Sequence, residues 1–344
     1  MSCITYWLQV MTLSACTLVA PSLSVAATVP LYRFVDLGPG TRAQDINDHG
    51  AIAGVHDDQA AIWRSGTWRH RSSGDLATAI DEQGEVVGYF ENDVGTYSSL
   101  YWPRGGAPVP VTMPFENVQV LALGVANGRV VGYSQDPANK AHCFVWSADT
   151  ATAVDLGVGR DGYCYAYDVN DAGQVVGEIT PPGTAPRTGF IWQDGTFQYL
   201  GTLPGGDRSS AHAINRKGHV AMSATRLRHD GVIVRRPALY NGRRIVELGV
   251  LDHSPSGEAL ALNDVGDVVG RYYSRASGRW LQFLYTEGQM HSLESLVENL
   301  DGRQLITADA IADDGTIVGN WRKGADFAGY RLERITARDG AKQQ

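Results

Sequence analysis

Seven arginines crowd two neighbouring stretches of an otherwise acidic chain. Arg226, Arg228, Arg235 and Arg236 lie with His229 around one variable segment, and Arg271, Tyr272, Tyr273, Arg275, Arg279 and Trp280 around the next. Guanidinium groups take carboxylate or phosphate oxygens two at a time, and aromatic rings beside them can stack on sugar faces. The seven arginines with Tyr272, Tyr273 and Trp280 are the expected ligand-binding set. The competing reading is a solvated loop whose arginines pair with nearby Asp and Glu; complete internal pairing would remove the site. A smaller candidate runs from Arg160 and Asp161 through Tyr163 to Tyr165 and Tyr167, with core packing as its competing reading.

Other chemistry is sparse. Nine histidines are scattered with no His-Glu-x-x-His and no Cys-x-x-Cys, so neither a metal nor another cofactor is expected. No Gly-x-Ser-x-Gly elbow is present. The segment Gly205–Ser210 resembles a phosphate cradle but leads into a strand and lacks the P-loop lysine. Recurrent Asn-Asp-x-Gly turns would suit calcium, yet turn chemistry accounts for the same residues. A hydrolase or lyase acting on polysaccharide would need two carboxyl groups about 5–10 Å apart, and Asp207, Asp252 and Glu258 are available, but spacing selects no pair. Catalytic residues therefore stay unassigned. A channel lined by buried carboxylates with raised pKa would favour that enzyme.

The elements that must position these residues are read from a repeat. An eight-residue phrase opening with Ala and closing with Gly recurs at Ala43–Gly50, Ala77–Gly84, Ala166–Gly173, Ala211–Gly218, Ala259–Gly266 and Ala308–Gly315, with a shorter copy at Ala122–Gly128. Two residues beyond each closing Gly stands Val or Ile. Four beyond stands Gly54, Gly88, Gly132, Gly177, Gly270 or Gly319, with Met222 the exception. Each copy predicts four strands: the Ala phrase reversing at its Asn-Asp-x-Gly turn, a Val-Val-Gly strand, a third strand ending in an aromatic such as Trp63, Trp102, Trp146 or Trp192, and a fourth such as Val154–Gly157. Four short strands per unit of roughly 45 residues is a propeller blade.

The chain ends are complementary. Phe34–Gly38 reads as a fourth strand without its first three, while the last copy has three strands and no fourth. The expectation is all-β: a seven-bladed β-propeller of four-stranded blades, the N-terminal strand completing the last blade and hiding its edge. One face then carries short uniform turns and the other long variable loops, and the loop face is where binding is expected.

The phrases Ala141-His142-Cys143-Phe144-Val145-Trp146 and Gly189-Phe190-Ile191-Trp192, and Leu200–Gly206 leading into Ala211–Asn215, resemble the HAF family of extracellular bacterial repeats. The resemblance covers nearly the whole chain after its leader. It implies an exported repeat protein and no catalytic residues.

Residues 1–30 carry no Asp, Glu, Lys or Arg; the apolar run Ile4–Ala20, then Pro21 and Ser24–Ala27, reads as a signal peptide over 1–27, with an uncleaved anchor as the competing reading. Leu13–Cys16 also resembles a lipobox, which would anchor the chain by lipid at Cys16. Residues 31–335 then form a single propeller, and 336–344 a disordered tail. A secreted or periplasmic protein is expected, monomeric, with no membrane span after processing. Two cysteines remain, Cys143 and Cys164, which permit one disulfide or two buried thiols. The net charge of −8 excludes a general nucleic-acid binder. The expected function is a binding or scaffold module whose loop face engages a glycan, an anionic surface polymer or a protein partner; the alternative is the polysaccharide hydrolase or lyase.

Overall fold

The computed structural model describes residues 29–183 and 186–335; the leader, the lipobox and the C-terminal tail lie outside the described residues. Six four-stranded antiparallel sheets follow one another along the chain, and a seventh is built from both ends of it. The protein is a seven-bladed β-propeller. Its innermost strands are Thr41–Ile46, Leu76–Ile80, Gln119–Ala126, Cys164–Val169, Ser209–Ile214 and Gly257–Leu262, with Gln304–Leu305 and Ala310–Ile311 sharing that place in blade seven. No helix among the described residues is long and apolar enough to cross a membrane.

The repeated residues each have a physical cause. Every complete inner strand carries a bulge just past its Ala, between Ala43 and Asp45 in blade one and Ala166 and Asp168 in blade four. The bulge pushes a carbonyl toward the second strand: a Cβ on Gly54 would lie 1.9 Å from the Arg42 oxygen. Gly avoids that clash in six blades, which explains the Val-Val-Gly strand, while blade five carries the same bulge with Met222 at the corresponding place. Gly50 closes the preceding turn at φ +72°, where any side chain is strained. The repeat alanines Ala43, Ala77, Ala122, Ala166, Ala211, Ala259 and Ala308 are all fully buried where the blades converge.

The Asn-Asp turns do more than turn. Asn47 accepts from Ala51 N–H within its own loop while its amide donates 2.8 Å to the Asp81 carbonyl of blade two. Asn170, Asn215 and Asn263 likewise donate to the next blade's turn, to Asn215, Asn263 and Ala312 respectively, each at 3.0 Å. Asp81 accepts from Asn127 N–H, Asn127 donates to Asp171, and Asp48 accepts from Asp313 N–H. All seven blade junctions are thereby joined in a hoop on the turn face.

Closure uses the chain ends. The strand Tyr32–Pro39 pairs antiparallel with Asp326–Arg334 from Tyr32↔Arg334 to Pro39↔Ala328, and Tyr32 and Arg33 also pair in parallel with Val297–Glu298. Across the seam from blade seven to blade one, Asn320 accepts from Ala43 N–H at 3.1 Å and donates to the Ala43 carbonyl at 3.0 Å, copying a peptide pair with a side chain. Cys143 of blade three and Cys164 of blade four are disulfide-bonded, with Cα atoms 5.1 Å apart.

Candidate functional site

The bulge residues of the inner strands line an axial cavity of about 300 Å³ that includes Gln44, Thr78, Tyr167, His212 and Asp309. Nine Asp and Glu residues line it, among them Asp45, Asp168 and Asp309 of the inner strands and their approaches. Burial raises Asp45 and Asp309 to about 7 and Asp168 to about 6. Asp45 accepts from Ile46 N–H and, across the blade boundary, from Ile80 N–H; Asp168 accepts from Val169 and Ile214 in the same way. These two are ties between blades with both oxygens in use. Asp309 instead accepts from the Thr307 hydroxyl and the Asn320 amide. His212 lies 3.2 Å from Ser223 Oγ, and its enclosure lowers its pKa to about 4, so it is neutral at pH 7.

These shifts predict a pH dependence. Between about pH 4 and 7 the folded chain holds protons on Asp45 and Asp309 that the unfolded chain has lost, so their contribution to stability falls as pH rises through that window. His212 acts with the opposite sign, but only between about 4 and 6.5. From pH 6.5 to 8 the carboxyls therefore dominate, and stability should drop by about 1–2 kcal/mol, read as a fall of a few degrees in Tm. The double variant Asp45→Asn/Asp309→Asn should flatten that slope. An unchanged slope would mean neither group is protonated near neutrality.

The turn-face mouth is crossed by Arg216. The position two before the closing turn Gly is acidic in Asp48, Glu82, Asp171, Asp264 and Asp313 but basic in blade five. From there Arg216 pairs with Asp264 of blade six, with Asp313 of blade seven at 2.7 Å and with Asp48 of blade one at 3.0 Å.

At the loop-face end the predicted arginines gather. Strand register sets Glu258, Arg271 and Gln282 side by side across blade six, and Tyr273 beside Trp280. Glu258 is 5% exposed and is shared by two arginines: Arg271 of its own blade, at 2.6 Å, and Arg235 of blade five. Burial pushes its carboxyl up, but Arg271 and Arg235 outweigh that and hold it below the usual range. It is therefore an ion-pair anchor and no general acid. The Arg271 guanidinium lies 4.7 Å over the Trp280 ring. Arg226 and Arg236 share Glu247 in the same two-to-one fashion, and Arg236 also donates to the Ser254 carbonyl. Arg228 pairs with Asp230, and Arg279 with Glu294.

Arg275 has no carboxylate partner among the described residues. Pairing is thus extensive, yet the seven arginines meet only four carboxylates, Glu247, Glu258, Asp230 and Glu294, leaving a positive excess. Tyr272 does not belong to this surface. At 2% exposure it packs among Leu248, Leu281 and Phe283, because strand alternation turns it away from Arg271 and Tyr273.

The smaller tyrosine candidate joins the same mouth. Tyr163, Tyr165 and Tyr167 stack at successive 6.3 Å centroid spacings, and Tyr167 stacks on His212 at 5.8 Å. An aromatic ladder thus descends from the blade-four loop into the cavity. His212 at its foot feels the charges of Glu258, Arg235 and Arg271, which links ladder and arginines. Nothing in the spacing of the sequence connects these residues. Their meeting depends on blades four, five and six converging on one axis.

Ring, hoop and axial cavity together define the class: a seven-bladed β-propeller closed by its N-terminal strand. The chain matches no protein-family model and no curated protein. Among solved structures it is similar to the β-propeller domain of the Trilobed protease from Pyrococcus furiosus, with a TM-score of 0.57 and 10% identity over 89% of this chain and 98% of that one. It is also similar to the Pyrococcus horikoshii acylaminoacyl peptidase, with a TM-score of 0.56 and 10% identity over 92% of this chain but only 54% of that one, about half its length. At such identities the likeness shows the fold alone.

Proposed function

We propose that this chain is an exported binding protein of the HAF repeat type whose loop-face mouth, at blades four to six, holds an acidic glycan. The observation that carries this reading is the pair Arg235 and Arg271, half-exposed at 50% and 44%, converging on the single buried carboxylate Glu258. One positive charge is left over, beside the indole of Trp280 and near the tyrosine ladder. Uronate or sulfate groups would meet guanidinium donors while sugar faces meet aromatic rings.

The test is binding of the mature protein to an array of neutral and acidic glycans, with Arg235→Ala/Arg271→Ala alongside. Acidic chains should bind selectively and more weakly in high salt, and the variant should lose at least about thirtyfold in affinity. No binding to any acidic chain, or equal binding by the variant, would sink the reading. A second reading, a polysaccharide hydrolase or lyase, draws on the high pKa of Asp309 and its place in the cavity beyond the ladder. Shortened products accumulating on prolonged incubation, and lost in Asp309→Asn, would favour it.

A further inference from the structure

We infer that blade one carries a surface site for a divalent transition metal ion, formed by His56, Asp57 and His70. These residues lie outside the site proposed for glycan, and the inference stands independently of that reading. His56 ends the second strand of blade one, Ile52–His56, and His70 ends the fourth, Thr67–His70. The third strand, Gln59–Arg64, runs between them, and its register pairs His56 with Gln59 and His70 with Ala61. Alternation puts His56, Ala61 and His70 on one face, and the small Ala61 lets the two imidazoles meet above it.

They meet with coordinating atoms facing one another. His56 Nδ1 lies 2.9 Å from His70 Nε2 and 3.7 Å from Asp57 Oδ2, and the three ligand atoms fall within 4.8 Å of one another. Two nitrogens that far apart subtend about 90° at an ion roughly 2.05 Å from each; widening by about 0.4 Å gives a tetrahedral angle. Cis nitrogens with a carboxylate suit Cu(II) or Ni(II), and a modest opening admits Zn(II); nitrogen donors disfavour Ca(II) and Mg(II).

The surroundings hold the groups in place. Trp68 stacks on His56 at 5.9 Å and 11°, and its indole N–H donates to the Leu37 carbonyl of the closing strand. Asp57 N–H donates 2.9 Å to the Gly40 carbonyl, and a Cβ on Gly40 would come within 2.6 Å of the Asp57 carboxylate. The histidine at 142 makes a useful contrast. Its two carboxylate neighbours, Asp136 and Asp155, sit on opposite ring nitrogens, Nε2 and Nδ1, so they cannot share one ion with it. Both His56 and His70 are oriented for chelation; His142 is not.

The experiment titrates Cu(II), Ni(II), Zn(II) and Mg(II) into protein purified without a polyhistidine tag, by calorimetry, with Cu(II) spectra recorded by electron paramagnetic resonance. One ion should bind per chain, at micromolar affinity for Cu(II) and weaker for Ni(II) and Zn(II), with no uptake of Mg(II). The Cu(II) spectrum should show coupling to two imidazole nitrogens. His70→Gln and His56→Gln should each weaken binding at least tenfold, and Asp57→Asn should weaken it less, while His142→Gln leaves it unchanged. Circular dichroism on each variant separates lost binding from lost fold. Absence of Cu(II) binding below about millimolar, or binding undiminished in a folded His70→Gln variant, would overturn the assignment.

Discussion

A chain lacking Leu31–Gly38 is expected to lose its cooperative unfolding transition at ordinary temperature. The deletion removes the outer strand of blade seven, with backbone pairing from Tyr32↔Arg334 to Asp36↔Tyr330 and the fully buried ring of Tyr32. It also removes Leu37, Asp36 beneath the Trp321 indole N–H, and the carbonyl that Trp68 of blade one uses. Burial of Tyr32 and Leu37 is worth about 4–5 kcal/mol, and five lost backbone pairs add several more. The sum of about 7–10 kcal/mol rivals the whole stability of a typical domain. Calorimetry of the shortened chain would read it directly. Retention of a sharp transition within a few degrees of the parent would show that the ring does not depend on its seam.

Loss of the disulfide should have the next largest effect on stability. Cys143 and Cys164 enclose a loop with a sequence separation of 21, and both are fully buried. Loop-closure entropy for such a length is about 3 kcal/mol, which corresponds to roughly 5–10 °C in Tm for a chain of this size. Cys143→Ala/Cys164→Ala should show that fall. The wild type should resist dithiothreitol while folded and approach the variant's Tm only when reduced in denaturant. Full sensitivity of the native protein to the reductant would mean that blades three and four separate readily.

The fold was legible because its signals repeat. A single Ala or Gly says little, but an Ala buried at seven blade junctions and a Gly held under a bulged carbonyl recur with the same spacing, and complementary ends announce the closure. The site was legible only in part. Arg235 and Arg271 stood out by their residue type, whereas the alternation that turns Tyr272 inward required the register between Arg271 and Tyr273. The second bond of each turn Asn was hidden, because its partner lies a whole repeat further along. Tyr167 belonged to the smaller candidate, but His212 looked like an ordinary strand residue until the bulges aimed both at the axis. Arg216 did leave a trace: it is basic where the corresponding turn positions of blades one, two, four, six and seven are acidic. His56 and His70 left none, since no periodicity joins the second and fourth strands across an intervening alanine.

The bridge that Arg216 makes to Asp48, Asp264 and Asp313 lets one side chain of blade five reach blades six, seven and one, so four of the seven blades share a single cation. Three carboxylates that would otherwise repel one another across the turn-face mouth are thereby held together by one guanidinium.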